Sequence, residues 1–251
     1  MTQISSGRAD LHLHTTHSDG QPTVRELMDH IRDNTELDLI AITDHDTING
    51  ALEAAVMAGD YPFEVVIGEE VTSLDGHVVG LFLQERVSPG QTVEETVERI
   101  HEQGGLAFAP HPFFKNGFFS NKGYTMVGLG ERLKDAGMDG IEVINSTPAL
   151  RWANERAQQF AEKVGCLARM ANSDAHIRQA AGKSYTLFPG KTAADLRAAI
   201  VGRTTQAGAQ RYALGELMTY LDFWLRNMKM GVPASRKYGV AAVNRQRAAL
   251  S

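Results

Sequence analysis

Residues 9–20, Ala9-Asp10-Leu11-His12-Leu13-His14-Thr15-Thr16-His17-Ser18-Asp19-Gly20, decide how the rest of the chain reads. Leu11 and Leu13 alternate with His12 and His14. Successive side chains of a strand point to opposite faces, so the alternation predicts a strand with both leucines on one face and both histidines on the other. Asp19 follows in Ser18-Asp19-Gly20, a turn by composition. Two imidazoles at a strand end and a carboxylate in the next loop are the start of a metal site. Surface histidines on a polar edge strand would give the same local pattern. Recurrence of such groups along the chain separates the two readings.

Outward from that stretch, the pattern strand, loop, helix repeats about seven times. A helix is expected after Pro22-Thr23, with Val24, Leu27, Met28 and Ile31 at helical spacing. Residues 37–43 form an apolar run suited to a strand buried on both faces, ending in Asp44-His45-Asp46. Further strands are expected over 63–67 before Gly68-Glu69-Glu70, over 77–83 beginning with His77, and over 106–109 before Pro110-His111-Pro112. Later ones cover 140–144 and 166–171, the last running into Asn172-Ser173-Asp174-Ala175-His176 and holding Cys166 as core. Helices are expected over 48–58, 92–103 (with a capping box at its start), 129–136, 149–164 and 192–201. Residues 113–130, rich in Phe and Gly, read as a long loop. Its aromatics, Phe113, Phe114, Phe118, Phe119 and Tyr124, form a small lid or a loop core, and its Lys115 and Lys122 suit a phosphorylated ligand. The order argues for α/β architecture with a parallel sheet, open or closed into a barrel. Polar residues gather at the strand ends, where a βα barrel does its chemistry. Six of the nine histidines stand at strand starts or ends beside carboxylates.

Composition narrows the function classes. Hydrophobic residues make up 43% and charged residues 22% of 251, as in a globular protein able to bury a sizeable core. The net charge of −5 gives no global basic surface for nucleic acid. The charge is uneven: from Arg203 onward eight Lys/Arg face two acids, and the remainder is strongly acidic. One cysteine excludes a disulfide framework and a thiolate metal site, and fits a cytoplasmic location. No apolar signal core opens the sequence, and no run approaches the ~20 apolar residues of a membrane span, so stable membrane association is not expected. The organisation expected is a barrel over 1–214 and, over 215–251, an amphipathic helix (Leu217, Met218, Leu221, Phe223, Trp224, Leu225, Met228) with a basic tail.

Taken together, Asp10-Leu11-His12-Leu13-His14-Thr15 with Ser18-Asp19-Gly20, Thr43-Asp44-His45-Asp46, Gly68-Glu69-Glu70-Val71, His77-Val78-Val79-Gly80, His111-Pro112 and Ser173-Asp174-Ala175-His176 resemble, in order, the PHP (polymerase and histidinol phosphatase) family of metal-dependent phosphoesterases. Residues 182–186 are similar to that family's closing segment. The resemblance implies a distorted, TIM-like (β/α)7 barrel, here followed by the C-terminal helical tail. It also implies three divalent ions held by His12, His14, Asp19, His45, Glu70, His77, His111, Asp174 and His176. The family pattern Gly-x-Glu selects Glu70 over Glu69. His17 falls where the family needs no histidine, and His30 and His101 lie within expected helices.

Imidazole and carboxylate donors without thiolate suit zinc, manganese or iron alike. Clustered dications lower the pKa of bound water toward ~7, so a metal-bound hydroxide is the expected nucleophile. Asp44 is a catalytic candidate, as an orienting or proton-moving carboxylate beside His45. Asn145 and Lys183 are candidates for substrate binding, with a turn cap and a solvated cation as the respective plain alternatives. The expected activity is hydrolysis of a small phosphomonoester, a nucleotide or a metabolite such as histidinol phosphate. A phosphodiesterase or 5′-3′ exonuclease acting on short oligonucleotides, and an inactive PHP module, are the alternatives. An amidohydrolase often adds a carboxylated lysine at a strand end, and no lysine occupies such a place here.

Overall fold

A computed structural model describes residues 6–120, 125–148 and 150–230. In chain order the elements are β1 (Ser6–Leu13), α1 (Val24–Asn34), β2 (Leu39–Ile42), α2 (Asn49–Met57), β3 (Glu64–Thr72), β4 (His77–Leu81), α3 (Val93–Glu102), β5 (Leu106–Ala109), β6 (Lys115–Ser120), β7 (Thr125–Val127), β8 (Gly140–Asn145), α4 (Arg151–Val164), β9 (Ala168–Asn172), β10 (Ser184–Pro189), α5 (Ala193–Gly202), β11 (Gln206–Ala209), α6 (Leu214–Asn227) and β12 (Met228–Met230).

Nine strands form one sheet in the order β11-β10-β1-β2-β3-β4-β5-β8-β9. The sheet curls until its ends nearly meet. The Ala175 carbonyl accepts from His14 N at 3.0 Å, the Ala175 amide donates to His12 O at 3.3 Å, and the Asn172 side chain accepts from Leu11 N at 3.0 Å. The result is a nearly closed α/β barrel with a helical C-terminal region. Parallel pairing holds for β1–β2, β2–β3, β5–β8 and β8–β9, whereas β4 and β10 run antiparallel to their neighbours. A wholly parallel sheet is therefore not what forms. Only residues 73–76 join β3 to β4, too few for the crossover that a parallel neighbour requires.

Alternation sorts the core into two clusters. Leu39, Ala41, Phe108, Ala168 and Met170 pack with Leu196, Ala199 and Ile200 of α5. The intervening Ile40, Ile42, Ala107 and Ala109 pack with α1 to α4, against residues such as Leu27, Ala54, Val97 and Ala157. The two leucines of β1 do not share a face as the sequence pattern suggested. Leu11 joins the first cluster and Leu13 the second. Asp10 pairs with Ile40 and Leu13 with Ile42, so β1 carries one extra residue there. This β-bulge resets the alternation and re-aims His12 and His14, a common use of bulges beside functional sites.

Other expectations shift with identifiable causes. β3 runs on through Glu69 and Glu70, because β4 folds back along it. Cys166 is exposed, not core: β9 begins only at Ala168, and Cys166 lies in the turn after the left-handed Gly165 that ends α4. Residues 130–134 make a 3-10 turn. The stretch read as a loop forms a small sheet, β12-β6-β7, whose third strand comes from more than 100 residues downstream. Phe113 there packs on Phe160 at 5.4 Å and Phe114 on Trp152 at 6.0 Å between ring centroids, so both rings lie against α4 and join the main core. Lys122 and Tyr124, and the basic positions Arg236, Lys237, Arg245 and Arg247, lie outside the described residues. In α6 it is Tyr220 and Phe223 that are buried, while Leu217, Met218, Leu221 and Leu225 face outward.

Thr92 caps α3 as the sequence indicates: its hydroxyl accepts from Glu95 N at 3.2 Å, and the Glu95 carboxylate accepts from Thr92 N at 3.0 Å. Thr92→Ala is expected to cost about 1 kcal/mol, read as a lower urea midpoint at unchanged slope. An unchanged midpoint would show that the cap contributes nothing.

Candidate metal centre

The sheet delivers polar side chains to one end of the barrel. His12 lies in β1 with His14 just beyond it, His45 follows β2, Glu70 is in β3, His111 follows β5, and Asp174 and His176 follow β9. β4 is antiparallel, so its first residue, His77, falls at this same end. Asp19 arrives on the loop after β1. All nine expected ligands therefore meet, and none has a side chain more than 14% exposed.

The Glu70 carboxylate lies at the centre. Its Oε2 is 3.1 Å from His12 Nε2, 3.3 Å from His14 Nε2 and 3.2 Å from His45 Nδ1. Its Oε1 is 2.7 Å from His77 Nδ1 and 3.1 Å from His111 Nε2. Asp174 Oδ1 is 3.2 Å from His14 Nε2, and Asp19 Oδ1 is 3.1 Å from His176 Nε2. The donors fall into four overlapping groups: His14, Asp19, His45 and His176; His12, His14 and Asp174; His12, Glu70 and His111; His45, Glu70 and His77. Each group shares a member with the next, through His14, His12, Glu70 and His45, so the four close into a ring.

Divalent cations fit this donor set. His14 Nε2 has two carboxylates within 3.3 Å, yet makes no hydrogen bond of acceptable geometry among the described residues. It is aimed, with them, at a common point. Buried imidazoles and carboxylates in such number are stable only when paired or metal-bound.

The backbone around the centre is held in uncommon conformations. Asp46, His111 and Asp174 have φ of 54°, 29° and 53°, a region non-glycine residues seldom occupy and one that concentrates at functional sites. A Cβ placed on Gly20 would lie 2.4 Å from the His14 carbonyl, so only glycine lets the Asp19 loop close onto β1. Asp44 pins that loop. Its carboxylate accepts from Thr15 N at 2.7 Å, Thr15 Oγ1 at 2.6 Å and Ser18 Oγ at 2.5 Å, and Ser18 Oγ stands 3.4 Å from His14 Nδ1. Asp44 thus reaches the centre through Ser18. Asn145 is buried, and its Nδ2 donates to Glu142 at 2.8 Å and to Asp174 at 3.1 Å. Lys183 is not brought to the centre's carboxylates but pairs with Glu216 of α6 at 2.7 Å. His17 pairs with Glu53, and His101 with Asp139.

Sequence reasoning missed Glu142, Asn172 and Asp10. Glu142 had a signal, being an acid between Ile141 and Val143 in an apolar strand. Asp10 accepts from Ser173 N at 3.0 Å and Gly182 N at 2.8 Å, and burial pushes its carboxyl up to about 6 against those bonds. The C-terminal helix α6 packs over the barrel: the Phe223 ring lies 6.1 Å from His176, and Tyr220 stands 3.5 Å from Thr147.

The charges are mutually dependent. Burial opposes the Glu70 and Asp174 carboxylates, but the surrounding histidines hold both well below the usual range. Burial likewise opposes protonated His14, yet Asp174 and Glu70 raise it to about 10. At His45 burial prevails and pushes the ring down to about 3. Glu69, beside the centre but turned onto Val87 N at 2.8 Å, is raised by burial to about 7.

The comparisons give this barrel the fold of PHP-like metal-dependent phosphoesterases. A family model described as PHP-associated matches residues 151–205. An uncharacterised protein of Methanocaldococcus jannaschii is 37% identical over 150 residues, covering 55% of this chain and 82% of that one. A 5′-3′ exoribonuclease of Haemophilus influenzae is 40% identical over 76 residues, 29% of this chain and 27% of its own length. A two-domain protein from Bacteroides vulgatus, described as containing a predicted PHP-like metal-dependent phosphoesterase, superposes with a TM-score of 0.64 at 20% identity, covering 87% of this chain and 70% of its own. The chain belongs to the PHP family.

Protons and cations compete for His14. Its raised pKa stabilises the metal-free fold below its unfolded value of about 6.5, and that contribution is lost as pH rises toward 10. The Tm difference between metal-free wild type and His14→Ala is therefore expected to shrink from pH 6.5 to 10. A constant difference would contradict the ion pairs. Manganese affinity is expected to rise over the same window, with proton release visible by calorimetry in buffers of different ionisation enthalpy.

Proposed function

We propose that this protein is a hydrolase of phosphate esters, acting on small phosphomonoesters such as a nucleotide or a phosphorylated metabolite through a trinuclear centre of zinc, manganese or iron. The observation that carries this reading is the closed ring of four donor groups, in which neighbouring groups share a ligand. Shared ligands suit ions close enough to act on one phosphoryl group.

In this reading His12, His14, Asp19, His45, Glu70, His77, His111, Asp174 and His176 hold the ions. Bound divalent cations supply Lewis acidity toward phosphoryl oxygens and acidify water to near ~7. The chain's own residues do the rest. Asp44 fixes the loop that carries Asp19, and Asn145 fixes Asp174. His176 is the most exposed of the nine, so substrate approaches beside it and under α6. Lys183 can meet a phosphate only by releasing Glu216. The enclosure of the centre and the acidic body favour a compact substrate over a long anionic strand. We read 1–214 as the barrel unit and 215–251 as an appended helix and tail, in a reducing, cytoplasmic setting that suits a single exposed cysteine. Among the described residues no helix is long and apolar enough to cross a membrane.

A second reading, removal of nucleotides from the end of an oligonucleotide, is favoured by the segment shared with the H. influenzae exoribonuclease. A panel of phosphomonoesters and 5′-phosphorylated oligonucleotides, assayed with added manganese or zinc, separates the two. Monoester turnover is expected to dominate and to disappear in the His12→Ala, His14→Ala double variant. Oligonucleotide shortening without monoester turnover would support the second reading. Turnover surviving the loss of both histidines would refute both, and no turnover of any ester would leave an inactive module.

A further inference from the structure

The surroundings of Glu142 point to a function for a residue outside the nine. Glu142 lies in β8, 1% exposed. Oε1 is 3.3 Å from His12 Nδ1 and 3.0 Å from Asn172 Nδ2. Oε2 is 2.7 Å from the His111 backbone amide and 2.8 Å from Asn145 Nδ2. The amide orientations are fixed independently. Asn172 uses its oxygen to accept from Leu11 N at 3.0 Å, and Asn145 uses its own to accept from Thr147 N at 2.9 Å. Both therefore turn NH2 groups toward Glu142. The carboxylate meets four donors, two on each oxygen.

This arrangement decides the tautomer of His12. An ionised carboxylate only accepts, so the ring nitrogen facing it, Nδ1, carries the hydrogen. Nε2, which would present its lone pair once a cation displaces its proton, faces Glu70 Oε2 at 3.1 Å and Asp174 Oδ1 at 3.5 Å, the side where the donor groups converge. Oε2 meanwhile holds the amide of His111, whose φ of 29° needs such a restraint. One side chain thus orients ligands from β1 and from the end of β5, and reaches Asp174 beyond β9 through Asn145.

We propose that Glu142 is the positioning residue that sets the His12 tautomer and holds His12 and His111 in ligating geometry, an inference that rests on the metal-centre reading above. Its charge is essential to the role. Glutamine would keep the shape but offer one accepting oxygen and one NH2. Whichever way the amide turned, its NH2 would confront two donors, either His12 with Asn172 or His111 with Asn145.

The test uses the full-length protein in three forms: wild type, Glu142→Gln and His12→Ala. Cobalt(II) is titrated with its visible spectrum as readout, and 15N-histidine NMR is recorded on zinc-loaded wild type. The expected results are cobalt binding about 10–100-fold weaker in Glu142→Gln with an altered ligand-field spectrum, and a His12 ring protonated at Nδ1. Cobalt affinity and spectrum unchanged in Glu142→Gln, alongside a loss in His12→Ala, would overturn this inference and leave the metal centre standing. Wild type that binds no cobalt, or His12→Ala that binds it like wild type, would overturn the metal reading itself. If Glu142→Gln fails to fold, the NMR decides: His12 protonated at Nε2 in zinc-loaded wild type would overturn the proposal.

Discussion

One carboxylate surrounded by five imidazoles is the constraint on which this structure depends. Glu70 has His12, His14, His45, His77 and His111 within 3.3 Å, in a space almost closed to water. Such a set repels itself when the rings are protonated and strands a charge when they are not. It tolerates burial because carboxylates and histidines offset one another in the metal-free protein, and because cations can replace the protons. The barrel exists, in functional terms, to bring these side chains from five strands to one end.

Rigidity around that point comes from a second layer of buried polar groups. Asp44 fastens the loop of Asp19 through Thr15 and Ser18. Asp10 fastens the segment carrying Asp174 through the amides of Ser173 and Gly182. Glu142 fastens His12 and His111. Each of these acids accepts hydrogen bonds from groups of other chain segments, so each closes part of the barrel while holding one or more of the nine candidate side chains or the loop that carries one. The left-handed backbones of His111 and Asp174 persist because this layer holds His111 N and the adjoining Ser173 N, and that of Asp46 because its amide donates to Glu70 O and its carboxylate accepts from Thr72 N. α6 adds a cover from outside the barrel, with Phe223 on His176 and an apolar stripe left facing outward.

Much of this was legible in the sequence, for reasons that can be stated. The helices show because an amphipathic face has a period, and the cap of α3 shows because Thr92 precedes Glu95 by three residues; α1 and α5 carry the same box at Thr23 and Thr192. The polar gathering at the strand ends shows because such side chains interrupt strands in a way core packing does not, while the set of nine, Glu70 over Glu69 included, is what the resemblance to the PHP family implies. What stayed hidden depends on distant partners. The bulge in β1 is visible only against β2. The reversal of β4 follows from a short connection, and the strand β6 from pairing with residues 228–230. Glu142 reads locally as an odd acid in a strand. Its meaning lies in four donors contributed by β1, β8, β9 and the residue after β5.

The most direct measurement is the anomalous scattering of crystals grown with manganese. Several manganese peaks are predicted within the ring formed by His12, His14, Asp19, His45, Glu70, His77, His111, Asp174 and His176, bridged by shared members of that set. Manganese found only at surface carboxylates, with the ring left to hydrogen bonds among its own side chains, would contradict the existence of the centre.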